Sequence, residues 1–180
     1  MLGDHHLFRK GTPYDGSARL PLLLKGPRGG LVPAGQACHE VVELRDIMPT
    51  LLECAGLPVP EDVEGRSFLP LLRGEGQDWR PYLHGEHRLL GQSIQWITDG
   101  REKYVWMSGE GKQQLFDLAV DPQELHNLMP TPVGERRAQR WRAALIAELT
   151  GREEGYTDGQ RLIPGRPARA CLAHILPEGE

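Results

Sequence analysis

Hydrophobic positions run together in the first half of the chain and alternate with polar ones in the second. Leu20-Pro21-Leu22-Leu23-Leu24 is a continuous apolar run, which predicts a buried strand of the parallel-sheet type, closed by the turn-rich residues 25–30. A second short strand is predicted over residues 36–42, after Pro33-Ala34-Gly35. Residues 44–55 read as a helix with Ile47, Leu51, Leu52 and Cys54-Ala55 on one side. Pro49 lies in its first turn, and Gly56 stands where a C-terminal cap belongs. Residues 57–81 read as loop with one helical turn at 68–72. Beyond them the period changes to two. Strands are predicted over 82–87, 93–98, 103–107 and 114–118, with Asp99-Gly100 as a hairpin turn. Asp121-Pro122-Gln123-Glu124 then caps a short helical segment ending at Asn127-Leu128. An amphipathic helix follows over 134–149. Ala138, Trp141, Leu145 and Leu149 line one face, and Arg136, Arg137, Arg140 and Arg142 form a solvated one. Trp96, Trp106 and Phe116 fall at core positions of the small sheet.

The order of these elements predicts an α/β fold: the last units of a larger mixed sheet over residues 1–80, an antiparallel four-stranded subdomain with a packed helix over 81–150, and an irregular tail over 151–180. The 22 glycines and 15 prolines among 180 residues agree with a turn-rich chain. A net charge of -4 with no basic patch argues against nucleic acid as a partner. No apolar run approaches the ~20 residues of a membrane span. Cys38, Cys54 and Cys171 are scattered and odd in number, which predicts reduced thiols and a cytoplasmic setting.

Candidate chemistry gathers at the start. Residues 1–21 place Asp4, His5, His6, Arg9, Lys10, Asp15 and Arg19 in a glycine-containing loop beside the predicted strand, the composition of a catalytic rim. Lys10 offers a cation for a tetrahedral anion. His5 and His6 are candidate proton donors that the sequence does not distinguish. Arg19 is a further candidate contact to substrate, with Asp15 orienting the rim. His84-Gly85-Glu86-His87 invites a metal reading, but strand alternation puts His84 and Glu86 on one face and His87 on the other, so a structural strand is expected.

Three stretches in order resemble the sulfatase family of the alkaline-phosphatase-like superfamily, in its arylsulfatase, choline-sulfatase and phosphonate-monoester-hydrolase branch. They are Leu2-Gly3-Asp4-His5-His6 through Lys10 and on to Tyr14-Asp15-Gly16-Ser17-Ala18-Arg19-Leu20-Pro21; Asp46-Ile47-Met48-Pro49-Thr50-Leu51-Leu52 followed by Glu64-Gly65-Arg66-Ser67; and Thr98-Asp99-Gly100-Arg101-Glu102-Lys103-Tyr104 with Gln114-Leu115-Phe116-Asp117-Leu118. The resemblance implies hydrolysis of sulfate esters, with Lys10 on the sulfate. It also implies a divalent metal, usually calcium, and a formylglycine nucleophile made in a C-x-P-x-R setting. None of the three cysteines stands in that setting, and the family's S-D-H-G metal motif would fall ahead of Met1. The chain thus resembles the C-terminal portion of a sulfatase, expected to be inactive alone and to expose apolar sheet edges that favour self-association. The alternative is a non-catalytic remnant or interaction module that keeps the fold.

Overall fold

Two turns fix the sheet. Leu90-Gly91 joins β1 (Leu83–Leu89) to β2 (Gln92–Thr98), both residues in left-handed backbone with φ of 50° and 79°, the conformation whose twist matches a two-residue hairpin. Between β2 and β3 (Glu102–Met107) the Asp99 carboxylate accepts the amides of Arg101 at 2.9 Å and Glu102 at 2.7 Å. With β4 (Gln113–Asp117) the strands form one sheet in the order β1-β2-β3-β4, with β3 antiparallel to both β2 and β4. The computed structural model describes residues 1–26, 30 and 32–168. Part of the turn predicted at 25–30, the end of the tail and Cys171 lie outside the described residues.

The chain divides into two compact units, one of Met1–Arg19 with His84–Glu180, which includes the one-turn helix α1 (Asp15–Ala18), and one of Leu20–Leu83. In the first, the register Trp96↔Val105 and Lys103↔Phe116 places Ile94, Trp96, Lys103, Val105 and Phe116 on one face of the sheet. Ile94, Val105 and Phe116 form its buried cluster, and Tyr14 packs on it from the opening segment, edge-on to Phe116 at 5.9 Å. Glu102, Tyr104, Trp106 and Leu115 point the other way, and α4 (Pro132–Leu149) covers them. Thr131 caps α4 by accepting the Gly134 amide at 3.0 Å, with Pro132 in the first turn. Ala138, Trp141, Leu145 and Leu149 are buried beneath it. Residues 151–168 carry no helix or named strand yet are tied down. Tyr156 is buried edge-on to Trp106 at 5.6 Å, and the Gly165 amide donates to the Ser108 carbonyl at 2.8 Å.

Of the four α4 arginines expected on a solvated face, Arg136 and Arg140 are exposed, but Arg137 and Arg142 are half-buried against the sheet, and Arg140 too turns to a carboxylate there. Glu102, almost fully buried, accepts bonds from Arg137, from Arg140 at 2.7 Å and from the Trp141 indole at 2.6 Å. Arg137 also reaches Asp117 at 2.6 Å, and Arg142 reaches Gln113 at 2.8 Å. Helical periodicity counts charge as solvent-seeking; here opposite charges on the sheet supply the partner instead.

The second unit is built on Asp46. This carboxylate is wholly buried and accepts the amides of Glu43 at 2.9 Å and Arg66 at 2.8 Å, and both terminal nitrogens of Arg80 at 2.9 and 2.6 Å. It stands at the start of α2 (Ile47–Cys54), as expected, and Thr50 in that helix accepts the Phe68 amide ahead of α3 (Leu69–Leu72). Gly65 passes so close that an added Cβ would sit 1.9 Å from the Arg45 carbonyl oxygen, so only glycine fits there.

Three predicted elements do not form. Residues 20–24 and 36–42 are not strands, and Leu23 is 94% exposed. A strand needs hydrogen-bonding neighbours, and among the described residues none pairs with these segments. Residues 121–128 turn without becoming helical. The Asp121 carboxylate takes the amides of Leu125 at 3.1 Å and His126 at 2.7 Å, and Glu124 adopts φ 58°. A short acidic side chain that binds nearby amides competes with the helix ladder.

The Glu102 cluster predicts acid sensitivity. Burial alone would raise the Glu102 pKa, but the bonds from Arg140, Trp141 and Arg137 outweigh it and hold the carboxyl below the usual carboxylate range. A pKa lower in the folded than in the unfolded chain gives stability that is present above the unfolded value and lost as pH falls through the folded one. The melting temperature of the chain should therefore drop between roughly pH 5 and pH 2. Glu102→Gln should melt lower at pH 7 and show a shallower acid limb. Parallel curves for the two proteins would refute this account.

Candidate active-site loop and its family

The loop that carries Lys10 is tightly closed. Leu2 and Phe8 form an antiparallel bridge, and the Gly3 amide donates to the Leu7 carbonyl at 3.0 Å. Within it Asp4–His6 makes a 3-10 turn, with the His6 amide on the Gly3 carbonyl at 2.9 Å and the Leu7 amide on the Asp4 carbonyl at 2.9 Å. His5, His6 and Arg9 all have left-handed backbone, with φ of 53°, 58° and 74°. Non-glycine residues adopt this region at a cost of order 1–3 kcal/mol each, sustained only where surrounding contacts over-determine the fold.

Those contacts come from the sheet. Lys103 is buried on the face that carries Tyr14, and its Nζ donates to the Pro13 carbonyl at 2.9 Å, to Glu124 at 2.7 Å and to Asp15. Glu124 closes the circuit by accepting the Asp15 amide at 2.6 Å with its other oxygen. Two carboxylates around one ammonium thus pin residues 13–15 and the turn at 122–125 to β3. Gly11 adds a bond from its amide to Ser17 Oγ at 3.1 Å.

On this base the candidate residues separate. The Lys10 side chain is exposed and makes no ion pair or hydrogen bond among the described residues; the same holds for the His6 imidazole. His5 is held instead, stacked on Tyr14 at 4.0 Å and 7° with Nε2 at 2.9 Å from the Gln123 carbonyl. Arg19 is exposed and pairs with Asp15 at 3.5 Å. A cavity of about 200 Å³ opens beside the loop, lined by Asp4, His5, Tyr14, Gln123, Glu124 and Leu125.

Among the described residues no group of three or more His, Cys, Asp or Glu is arranged to hold a metal ion. His84 and Glu86 do share one face, but His84 is bonded to the Gln95 amide oxygen at 2.7 Å, and Glu86 to Arg152 at 2.8 Å. The described residues therefore do not make up a metal site by themselves. Burial and the Glu40 charge raise the Cys38 pKa, which keeps it a thiol and not a nucleophilic thiolate.

Lys103 and Glu124 were not singled out from the sequence. The available signal was a lysine at an inward position of an alternating strand, in register with Val105.

Residues 3–151 match the family model described as N-sulphoglucosamine sulphohydrolase, C-terminal. The chain belongs to the sulfatase family. It is 46% identical over 177 residues to an arylsulfatase of Clostridium perfringens, covering 97% of this chain and 36% of that sulfatase. It is 35% identical over 139 residues to arylsulfatase K of Xenopus laevis, covering 69% of this chain and 25% of that protein. The chain thus spans about a third or less of these relatives. A solved structure of a protein in complex with its substrate D-glucosamine-2-N,6-O-disulfate superposes with a TM-score of 0.63 at 25% identity, over 83% of this chain and 31% of that one. A putative sulfatase from Bacteroides thetaiotaomicron superposes with a TM-score of 0.54 at 28% identity, over 69% and 30%. The alkaline-phosphatase-like fold class and the C-terminal placement read from the sequence both hold. The sulfatase motif stretches now have physical roles: Asp46 and Arg66 build a buried hub, Lys103 anchors the loop, and Lys10 is displayed by it.

Lys103→Met should lower unfolding free energy by about 3–5 kcal/mol, because it leaves the buried Glu124 carboxylate and the half-buried Asp15 without their shared cation. Urea denaturation measures this. A loss under about 1 kcal/mol would show that the cluster is not the anchor described.

Proposed function

We propose that this chain supplies the sulfate-gripping loop of a sulfate-ester hydrolase whose nucleophile and metal belong to the part of a sulfatase that the chain does not span. The observation that carries the reading is the strained, sheet-anchored loop that leaves the Lys10 ammonium exposed and without a partner among the described residues. A fixed point charge of this kind stabilises the oxygens of a tetrahedral sulfate as negative charge shifts in the transition state. Arg19 is assigned to the substrate side of the same rim. An imidazole of the loop delivers its proton to the departing alkoxide oxygen, so the product leaves as a neutral alcohol. The divalent metal, which we take to be calcium, and the formylglycine would supply charge neutralisation and the attacking oxygen when the enzyme is complete. The bound disulfated glucosamine of the structural relative supports a sulfated sugar as the substrate class.

The test is a chimaera in which this chain replaces the matching segment of the Clostridium perfringens arylsulfatase, assayed on 4-nitrophenyl sulfate with calcium. The chimaera should turn over, and Lys10→Ala in it should cut kcat/KM about 10²–10³-fold. The 180-residue chain alone should show no turnover. Turnover by the isolated chain would overturn the assignment of the missing groups, and an unchanged kcat/KM in Lys10→Ala would overturn the role of Lys10. A folded but inert chimaera would favour the non-catalytic reading.

A further inference from the structure

The two adjacent histidines are placed differently. Because a carbonyl oxygen can only accept, the 2.9 Å contact between His5 Nε2 and the Gln123 carbonyl requires the proton on Nε2. The ring is also clamped flat on Tyr14. Tyr14 is in turn edge-on to Phe116 in the sheet core, with its hydroxyl donating to Gln114 at 3.4 Å. The Gln123 carbonyl is no freer, since its neighbour Glu124 is bound to Lys103 and to the Asp15 amide. His5 therefore joins the tip of the loop to a part of the molecule that cannot follow it if it moves. His6 has neither a ring partner nor a hydrogen-bond partner for its side chain among the described residues.

We propose that His5 is a positioning residue that latches the loop at residues 2–8 onto the turn at 122–125, leaving His6 as the imidazole presented to substrate. The latch resists the tendency of His5, His6 and Arg9 to relax out of left-handed backbone, and so holds Lys10 at the loop's exit. This rests on reading the loop as the sulfate-gripping element. Its test needs no turnover, so its failure is separable from failure of that reading.

The experiment uses the full chain. Long-range proton–nitrogen spectra should show His5 in a single Nε2–H tautomer and His6 averaging between tautomers as a free imidazole does. His5→Phe keeps a ring on Tyr14 but loses the N–H. It should raise amide exchange at His6 and Leu7 tenfold or more, with the melting temperature of the sheet little changed. His5→Gln, which restores a donor without the stack, should recover part of that protection. His6→Phe should leave exchange at Leu7 as in the parent chain. Tautomer averaging at His5, unaltered exchange in His5→Phe, or a locked tautomer at His6 would each overturn the proposal.

Discussion

A single buried lysine holds the functional part of this chain together. Lys103, the second residue of β3, is buried opposite Phe116, where an unpaired ammonium would be prohibitively costly. Asp15 and Glu124 approach from separate stretches of chain and make the position tolerable, and the Pro13 carbonyl fills a third donor direction. The desolvation of such a cluster consumes much of its Coulombic gain, so its main effect is specificity. Any other placement of residues 13–15 or 122–125 would leave a buried charge without its partner. The loop that carries Lys10 inherits its position from that requirement.

The sheet uses the same device on its other face. Glu102, the residue before Lys103, points the opposite way and gathers Arg137, Arg140 and the Trp141 indole of α4. Consecutive residues of opposite charge on one strand thus fix two different elements, because side chains alternate across a sheet. Apolar packing by Leu145, Leu149 and Phe116 supplies the driving force. The two charged clusters decide which segment covers which face. In the other unit, Asp46 does comparable work by gathering two backbone amides and Arg80.

The loop is constrained in its backbone and open on its exposed face. Strain at His5, His6 and Arg9 is sustained by anchors outside the loop, and the Lys10 and His6 side chains have no partner among the described residues. A cation that is to stabilise a developing anion should not be neutralised beforehand by its own protein. The same logic explains why the carboxylates nearby are occupied: Glu124 with Lys103, and Asp15 with Lys103 and Arg19.

The chain's pattern of residues determined the local elements whose causes are local. The four strands, the helix of Trp141 and Leu145, the Asp99-Gly100 turn, and α2 with its glycine stop were legible because alternation, helical period and turn chemistry are written in neighbouring residues. The sulfatase motifs likewise pointed to Lys10. Tertiary structure decided what depends on residues far apart. Leu20-Pro21-Leu22-Leu23-Leu24 reads as a strand, yet strand formation is a property of a pair, and no described segment pairs with it. Arg137 and Arg140 read as purely solvated because no local signal reveals Glu102 and Asp117 across from them, whereas Arg136 is exposed as its spacing suggests. His5 and His6 are indistinguishable as letters. Only the fold, by bringing Tyr14 and Gln123 to one ring and no described partner to the other, separates them.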